Sequence, residues 1–169
     1  MGIAFLGLGS NLGDRRSFLT EALKRIAALP QTKVLQISSF IETECQGGPP
    51  QGKYLNAAAK IETSLKPLVL LRSLQEIEIH LGRPIDHPLW GPRVIDLDLL
   101  SYDDQILETA TLSLPHPRLH RRLFVLIPLT EVDPHWVHPQ LKKTAKELAM
   151  SLSQGEIPLS SHARGSATE

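Results

Sequence analysis

The chain has 169 residues, with 18 Lys and Arg against 18 Asp and Glu, so its formal net charge is zero. That length fits one domain able to bury roughly two-thirds of its unfolded surface, and neutrality removes any global pull toward nucleic acid or a membrane surface, so an anion site must be a local cluster. A single cysteine excludes an internal disulfide and a Cys-rich zinc site; with no basic n-region and no run near the ~18–20 apolar residues of a membrane span, a cytoplasmic protein is expected.

Ile3-Ala-Phe-Leu-Gly-Leu8 is a continuous apolar run and reads as a buried strand. Gly9-Ser-Asn-Leu-Gly13 follows, then a helix over Arg15 to Leu29 that Pro30 stops. Its Leu19, Ala22, Leu23 and Ile26 stand at i, i+3, i+4 and i+7, one helical face. Gly7, Gly9 and Gly13 invite a dinucleotide-binding reading, but the third glycine comes one residue late for that fingerprint. A turn that lets the chain pass close under a neighbour is the preferred reading. Lys33 to Thr43 alternates as a second strand. Glu44 to Lys53 holds three glycines and two prolines in ten residues, which forbids a regular element and makes it a first candidate lid. Tyr54 to Thr63 turns Leu55, Ala57, Ala59 and Ile61 inward and leaves Tyr54 and Asn56 on the other face. That pair is either ordinary strand surface or a ring for stacking beside an amide with both donor and acceptor.

Pro67 opens a second helix, with Leu70, Leu74, Ile77 and Leu81 as its core stripe. Gln75 and Glu78 are neighbours on another face, where most such pairs are simply solvated. Gly82 to Pro92 is a second irregular stretch and a second candidate lid, flanked by Arg83 and Arg93. Beyond it, Ile95, Leu97 and Leu99 point to one face of a strand and Asp96 and Asp98 to the other, with Cα atoms roughly 6.5–7 Å apart. A half-exposed strand with a polar outer face accounts for a bare Asp-x-Asp. If the pair is buried, the like charges conflict unless a proton or a cation intervenes, and an all-oxygen set favours a hard ion such as Mg²⁺. Gly91 and Pro92 form a turn that sets Arg93 just upstream, and an arginine fork beside a metal pair suits polyphosphate.

The aspartate strand runs to Tyr102, and Asp103-Asp104 turns it into Gln105 to Glu108, a predicted hairpin. A short helix is expected over Leu119 to Thr130. His116 and His120 are four apart, yet Pro115 and Pro117 argue against one helix covering both, and no third zinc ligand is evident. Phe124, inside the run Leu123-Phe-Val-Leu-Ile-Pro128, reads as core. Asp133 to Pro139 reads as a structural loop whose histidines have no obvious partners. Lys142 to Leu152 is a last amphipathic helix, and the Ser, Gly and Ala-rich stretch from Ser153 to Glu169 reads as a disordered tail. The expected organisation is therefore one domain over residues 1–152. Its element order is α+β, for which a ferredoxin-like sandwich with a mainly antiparallel sheet is the best fit.

Trp90-Gly-Pro-Arg-Val-Ile-Asp-Leu-Asp-Leu-Leu100 resembles the signature of the 6-hydroxymethyl-7,8-dihydropterin pyrophosphokinases. The resemblance continues in order through Gly9 to Gly13, Tyr54-Leu-Asn-Ala-Ala58, Gly82-Arg83 and His116-Pro-Arg118 with Arg122 and Phe124, spanning about residues 1 to 150. It implies transfer of a pyrophosphoryl group from ATP to a pterin alcohol in folate biosynthesis, with AMP leaving. It further implies that Asp96 and Asp98 hold two Mg²⁺ ions, with Arg83 and Arg93 as catalytic cations. Thr43, Tyr54, Asn56 and Phe124 are implied to bind the pterin. Gln75, Glu78, Arg83, Trp90, Arg93, His116 and Arg122 are implied to bind ATP. In the second irregular stretch, where such proteins often carry further basic residues, this chain has Ile85, Asp86 and His87. Nothing in the sequence calls for a nucleic acid, a membrane or an obligate protein partner.

Two other readings use part of the same pattern. A different metal-dependent nucleotidyl or phosphoryl transferase would need the aspartates but not an aromatic and amide clamp. A non-enzymatic ferredoxin-like module for RNA would want a basic, aromatic sheet face, which a neutral chain with four scattered phenylalanines does not supply.

Overall fold

The computed structural model describes residues 1–44, 52–82 and 94–153. Most of the first candidate lid, all of the second beyond Gly82, Arg93 and the tail from 154 onward lie outside the described residues. Along the chain run β1 (Gly2–Ser10), α1 (Arg15–Ala27), β2 (Thr32–Ile37), β3 (Ile41–Thr43), β4 (Tyr54–Thr63), α2 (Pro67–His80) and β5 (Asp96–Tyr102). Then come β6 (Leu107–Glu108), β7 (Ser113–Leu114), a 3₁₀ turn (Leu119–Arg121), α3 (Leu123–Val132) and α4 (Ala145–Ser153). The main sheet has the order β2-β4-β1-β5, with β3 also on β4, and every pairing is antiparallel. Two strand–helix–strand units, β1-α1-β2 and β4-α2-β5, therefore interleave as expected of a ferredoxin-like α+β fold.

Strand periodicity separates two cores. On one face Ala4, Leu6, Leu8, Leu55, Ala57, Ala59, Ile61, Leu97 and Leu99 meet Leu19, Ala22, Leu23 and Ile26 of α1 and Leu70, Leu74 and Ile77 of α2. These are the helix stripes expected from the sequence. On the other face Phe5, Ala58 and Leu100 meet Leu123, Leu126 and Leu129 of α3, Leu148 and Leu152 of α4, and Trp136. Each buried leucine contributes ~1.5–3 kcal/mol. Among the described residues no helix is long and apolar enough to cross a membrane.

Several boundaries differ from the sequence expectation, each for a tertiary reason. The single strand over Lys33 to Thr43 is two, because Ser38 leaves the ladder and binds Ala58 with its own backbone and hydroxyl: its N–H donates to the Ala58 carbonyl at 2.9 Å, and its Oγ accepts from the Ala58 N–H at 2.8 Å. Glu131 of α3 then takes both the N–H and the hydroxyl of Ser39, at 2.8 and 2.7 Å. The expected hairpin of β5 with Gln105–Glu108 does not form; β6 pairs with β7 instead. Asp103 continues the β1 ladder in its place, its N–H donating to Ile3 O and its carboxylate accepting from Ile3 N–H. The helix over Leu119 to Thr130 is broken at Arg122, whose backbone is extended. Helix α4 begins later than Lys142, which sits at φ 60°, because Thr144 and Glu147 exchange side-chain and backbone bonds as a capping box.

Of the two loop histidines, His138 has clear side-chain partners. His138 is buried, its Nδ1 accepts from the Gln140 and Leu141 N–H groups at 3.2 and 3.1 Å, and its ring meets those of Trp136 and His120 edge-on. Burial first, and His120 second, push its pKa down to about 4. Between about pH 6.5 and 4 the unfolded chain takes up a proton that the folded chain refuses, so stability falls as the pH is lowered through that window and is flat above it. The urea midpoint is expected to drop between pH 7 and pH 5, and to drop less in His138→Asn, which keeps an acceptor without the titration. Equal drops in both proteins would remove His138 as the source.

Candidate active site

Cross-strand register builds the site. Asp96 on β5 lies opposite Gly9 on β1, Gly9 lies opposite Asn56 on β4, and Asn56 lies opposite Ile41 on β3. One rung along, Asp98 faces Gly7, and Gly7 faces Ala58. Residues directly opposite, and residues two apart, share a face. Both aspartates and Asn56 thus stand on the face that α3 and α4 cover elsewhere through Phe5, Ala58 and Leu100. The glycines put no side chain between the carboxylates and the amide. A Cβ on Gly9 would lie 2.9 Å from Asn56 Oδ1 and 3.3 Å from Tyr54 Cδ1, so the bare backbone there is a steric requirement.

The aspartate strand is held on its outer side as well. The Glu78 carboxylate, buried on α2, accepts the N–H of Leu97, the residue between the two aspartates, at 2.7 Å. In the register of β5 with β1, Phe5 pairs with Ser101 and Leu6 with Leu99, so Leu100 is the extra residue of a bulge. Its carbonyl accepts from the His116 N–H at 2.8 Å. The bulge thereby draws His116 to the aspartates. It also turns Ser101 to the second core, where its Oγ accepts from Trp136 Nε1 at 3.2 Å.

His116 carries a strong electrostatic signature. Burial, then the positive charges of Arg122 and Arg118, push its pKa down to about 4 against an opposing pull from Asp96. The ring is neutral at neutral pH. Its Nδ1 accepts from the Arg118 N–H at 3.2 Å, which leaves the proton on Nε2. His116 and Asp98 also line a cavity of about 260 Å³ whose other walls include Leu71, Leu99 and Leu112 with Thr109, Thr111 and Ser113. Sequence reasoning did not find residues 109–113, which carry no motif and meet the site only through β6-β7 pairing. Leu71, Gln75 and Glu78 stand at i, i+4 and i+7 on α2; Gln75 is exposed and Glu78 buried.

On the opposite side, Asn56 Nδ2 donates to Thr43 Oγ1 at 2.5 Å, and Thr43 pairs with Tyr54 in register. Phe124 packs against the second core while half-exposed, with the Arg122 guanidinium 5.3 Å from its ring. Pro128 has no N–H to return to the Phe124 carbonyl, so the first turn of α3 is not tied at that point. Of the residues implied by resemblance, Asp96, Asp98, Thr43, Tyr54, Asn56, Phe124, Gln75, Glu78, His116 and Arg122 are thus placed. Arg83, Trp90 and Arg93 lie outside the described residues.

The donor set fits a hard divalent cation. Two half-buried carboxylates share one face beside a bare glycine floor, and among the described residues no group of three His, Cys, Asp or Glu side chains gathers into a full cage. Magnesium characteristically takes one or two carboxylates and completes its shell with water and substrate phosphate.

Residues 5–134 match a family model described as 7,8-dihydro-6-hydroxymethylpterin-pyrophosphokinase. The chain is 39% identical over 147 residues to the 2-amino-4-hydroxy-6-hydroxymethyldihydropteridine pyrophosphokinase of Aquifex aeolicus, covering 87% of this chain and 90% of that one. It is 44% identical over 130 residues to the protein of the same name from Bacillus subtilis, covering 77% of each. The fold resembles the crystal structure of Plasmodium falciparum HPPK-DHPS, with a TM-score of 0.71 at 15% identity; the match covers 92% of this chain but only 45% of that longer one.

Proposed function

The chain belongs to the 7,8-dihydro-6-hydroxymethylpterin-pyrophosphokinase family and transfers pyrophosphate from ATP to the hydroxymethyl group of 6-hydroxymethyl-7,8-dihydropterin in folate biosynthesis, and from that premise we propose that the row Asp96–Gly9–Asn56 is where the two substrates meet. The observation that supports this reading is the register itself, which brings two carboxylates and an amide side chain to one face across a backbone with no side chain between them.

Asp96 and Asp98 would hold two Mg²⁺ ions, which when bound neutralise the phosphates and the charge that develops on them. The cavity under Leu71, Leu99 and Leu112 takes the nucleoside, with Gln75 and Glu78 on the same side. His116, neutral with its proton on Nε2, donates a hydrogen bond to phosphate, and Arg122 adds a fixed positive charge beside it. Arg83, Trp90 and Arg93 belong to the ATP side in the same reading, with the two arginines countering charge on the phosphates. Tyr54 and Phe124 supply rings for the pterin, and Asn56, oriented by the bond from its Nδ2 to Thr43, offers Oδ1 as an acceptor for a ring N–H or amino group. The pterin alcohol oxygen forms a bond to the β-phosphorus as the bond to the α-phosphate oxygen breaks. AMP leaves, and the alcohol proton passes to solvent. No covalent enzyme intermediate is needed. Residues 1–152 act as one catalytic unit, in the cytoplasm, where ATP and Mg²⁺ are at hand.

The experiment is product identity with an affinity split. AMP and the diphosphorylated pterin should form one-for-one, and release of ADP instead would overturn the reaction. Tyr54→Ala and Phe124→Ala are each expected to weaken pterin binding by ~1–3 kcal/mol, the scale of an aromatic ring stacked on a planar base. ATP affinity should hardly move. Equal losses for both ligands would mean that these rings only support the core.

A further inference from the structure

Helix α1 breaks the usual charge rule at its start. Its first two residues are Arg15 and Arg16, with no acidic residue in the first turn, although the positive end of the helix dipole disfavours cations there. Both side chains reach the segment that carries β3. Arg16 lies 5.0 Å from the ring centre of Phe40. Arg15 Nη2 donates to Glu42 Oε2 at 2.7 Å, and Arg15 Nη1 donates to the Lys53 carbonyl at 2.9 Å. Glu42 is the middle residue of β3, and Lys53 immediately precedes β4, so one guanidinium fork spans both strands. Asn11 Nδ2 donates to the Gly52 carbonyl at 3.2 Å. Both residues ahead of Tyr54 are thus held, Gly52 from the turn that follows β1 and Lys53 from the first residue of α1.

The two faces of this strand pair have different tasks. Glu42 opposes Leu55 on the face covered by α1, whereas Thr43 opposes Tyr54 and Ile41 opposes Asn56 on the site face. A three-residue edge strand stands at the short end of strand lengths and gains little from its own pairing. We propose that Arg15 is a positioning residue for the pterin: by tying β3 to the start of β4 from the face opposite the site, it holds Thr43, Tyr54 and Asn56 in the register that the pterin meets. Arg15 acts through the strands and touches neither substrate. The proposal rests on the assignment of those three residues to the pterin.

The test uses steady-state kinetics and equilibrium pterin binding on the full chain. Arg15→Met keeps the aliphatic stem and removes the fork. It should raise the KM and Kd for the pterin about tenfold with little change in the KM for ATP, since two charge-assisted bonds are lost on the pterin side only. Arg15→Lys should recover only part of the loss, because one ammonium cannot reproduce the planar fork that reaches both acceptors. Glu42→Gln should weaken the pterin less, and should add nothing when combined with Arg15→Met. An unchanged pterin KM in Arg15→Met, or pterin and ATP constants rising in step, overturns the proposal; so does a lowered thermal midpoint with kinetics unaltered. Asn56→Ala is measured alongside. If it loses pterin affinity while Arg15→Met does not, the role of Arg15 falls alone. If it leaves pterin affinity intact, the pterin assignment fails and the proposal falls with it.

Discussion

Asp96→Ala and Asp98→Ala are each expected to reduce turnover by about three orders of magnitude or more while leaving the fold intact, because in the proposed site each removes a carboxylate that would hold the metal where phosphate charge is neutralised. The fold should survive because the two side chains are half-buried on the site face, while the core on the other face is built from Leu97 and Leu99. The checks are single-turnover rates at saturating ATP and pterin, and melting curves with and without Mg²⁺. Wild-type turnover in either variant would end the metal assignment. A rise in melting temperature with Mg²⁺ that persists unchanged in the double variant would place the ion elsewhere.

Gly9→Ala is expected to be the most damaging single-methyl change in the site. The new Cβ would sit 2.9 Å from Asn56 Oδ1 and 3.3 Å from the Tyr54 ring, closer than a side chain tolerates. Asn56 cannot simply swing away, because its Nδ2 is tied to Thr43 Oγ1 and the residue is buried. Overpacking of this kind costs ~1–3 kcal/mol, which if borne by the pterin site is about a tenfold to hundredfold loss of pterin affinity. ATP binding should change far less, since the Cβ clash involves Asn56 and Tyr54 and no residue lining the cavity proposed for the nucleoside. Isothermal titration of each ligand against the variant decides the matter. Wild-type pterin affinity would mean that Tyr54 and Asn56 reach the ligand in a different arrangement.

The pattern of residues within each element was legible because it depends on the backbone alone. Period two put Asp96 and Asp98 opposite Ile95, Leu97 and Leu99 without knowledge of any neighbour. A period of 3.6 likewise marked Leu19, Ala22, Leu23 and Ile26 on α1, and Leu70, Leu74 and Ile77 on α2, all of which are buried. The order of strands and helices, together with the long motif around the aspartates, was enough for the fold class and the family.

What the sequence left open is what depends on partners far along the chain. Gly7 and Gly9 read as a turn or a close approach, and only the pairing of β1 between β4 and β5 makes them the floor between a carboxylate pair and an amide. Glu78 read as a helix-surface residue until the fold set it under the Leu97 N–H, 19 positions away. Ser38 ends a strand that periodicity would continue, because Ala58 and Glu131 offer its neighbourhood better hydrogen bonds than a further ladder does. The neutral state of His116 comes from burial and from Arg122, and its position comes from a bulge at Leu100 that no local rule marks. Local sequence sets which way a side chain points relative to its own strand or helix, since that follows from φ and ψ. What the side chain points at is decided by packing between elements tens of residues apart, and a site made of such meetings exists only in the folded chain.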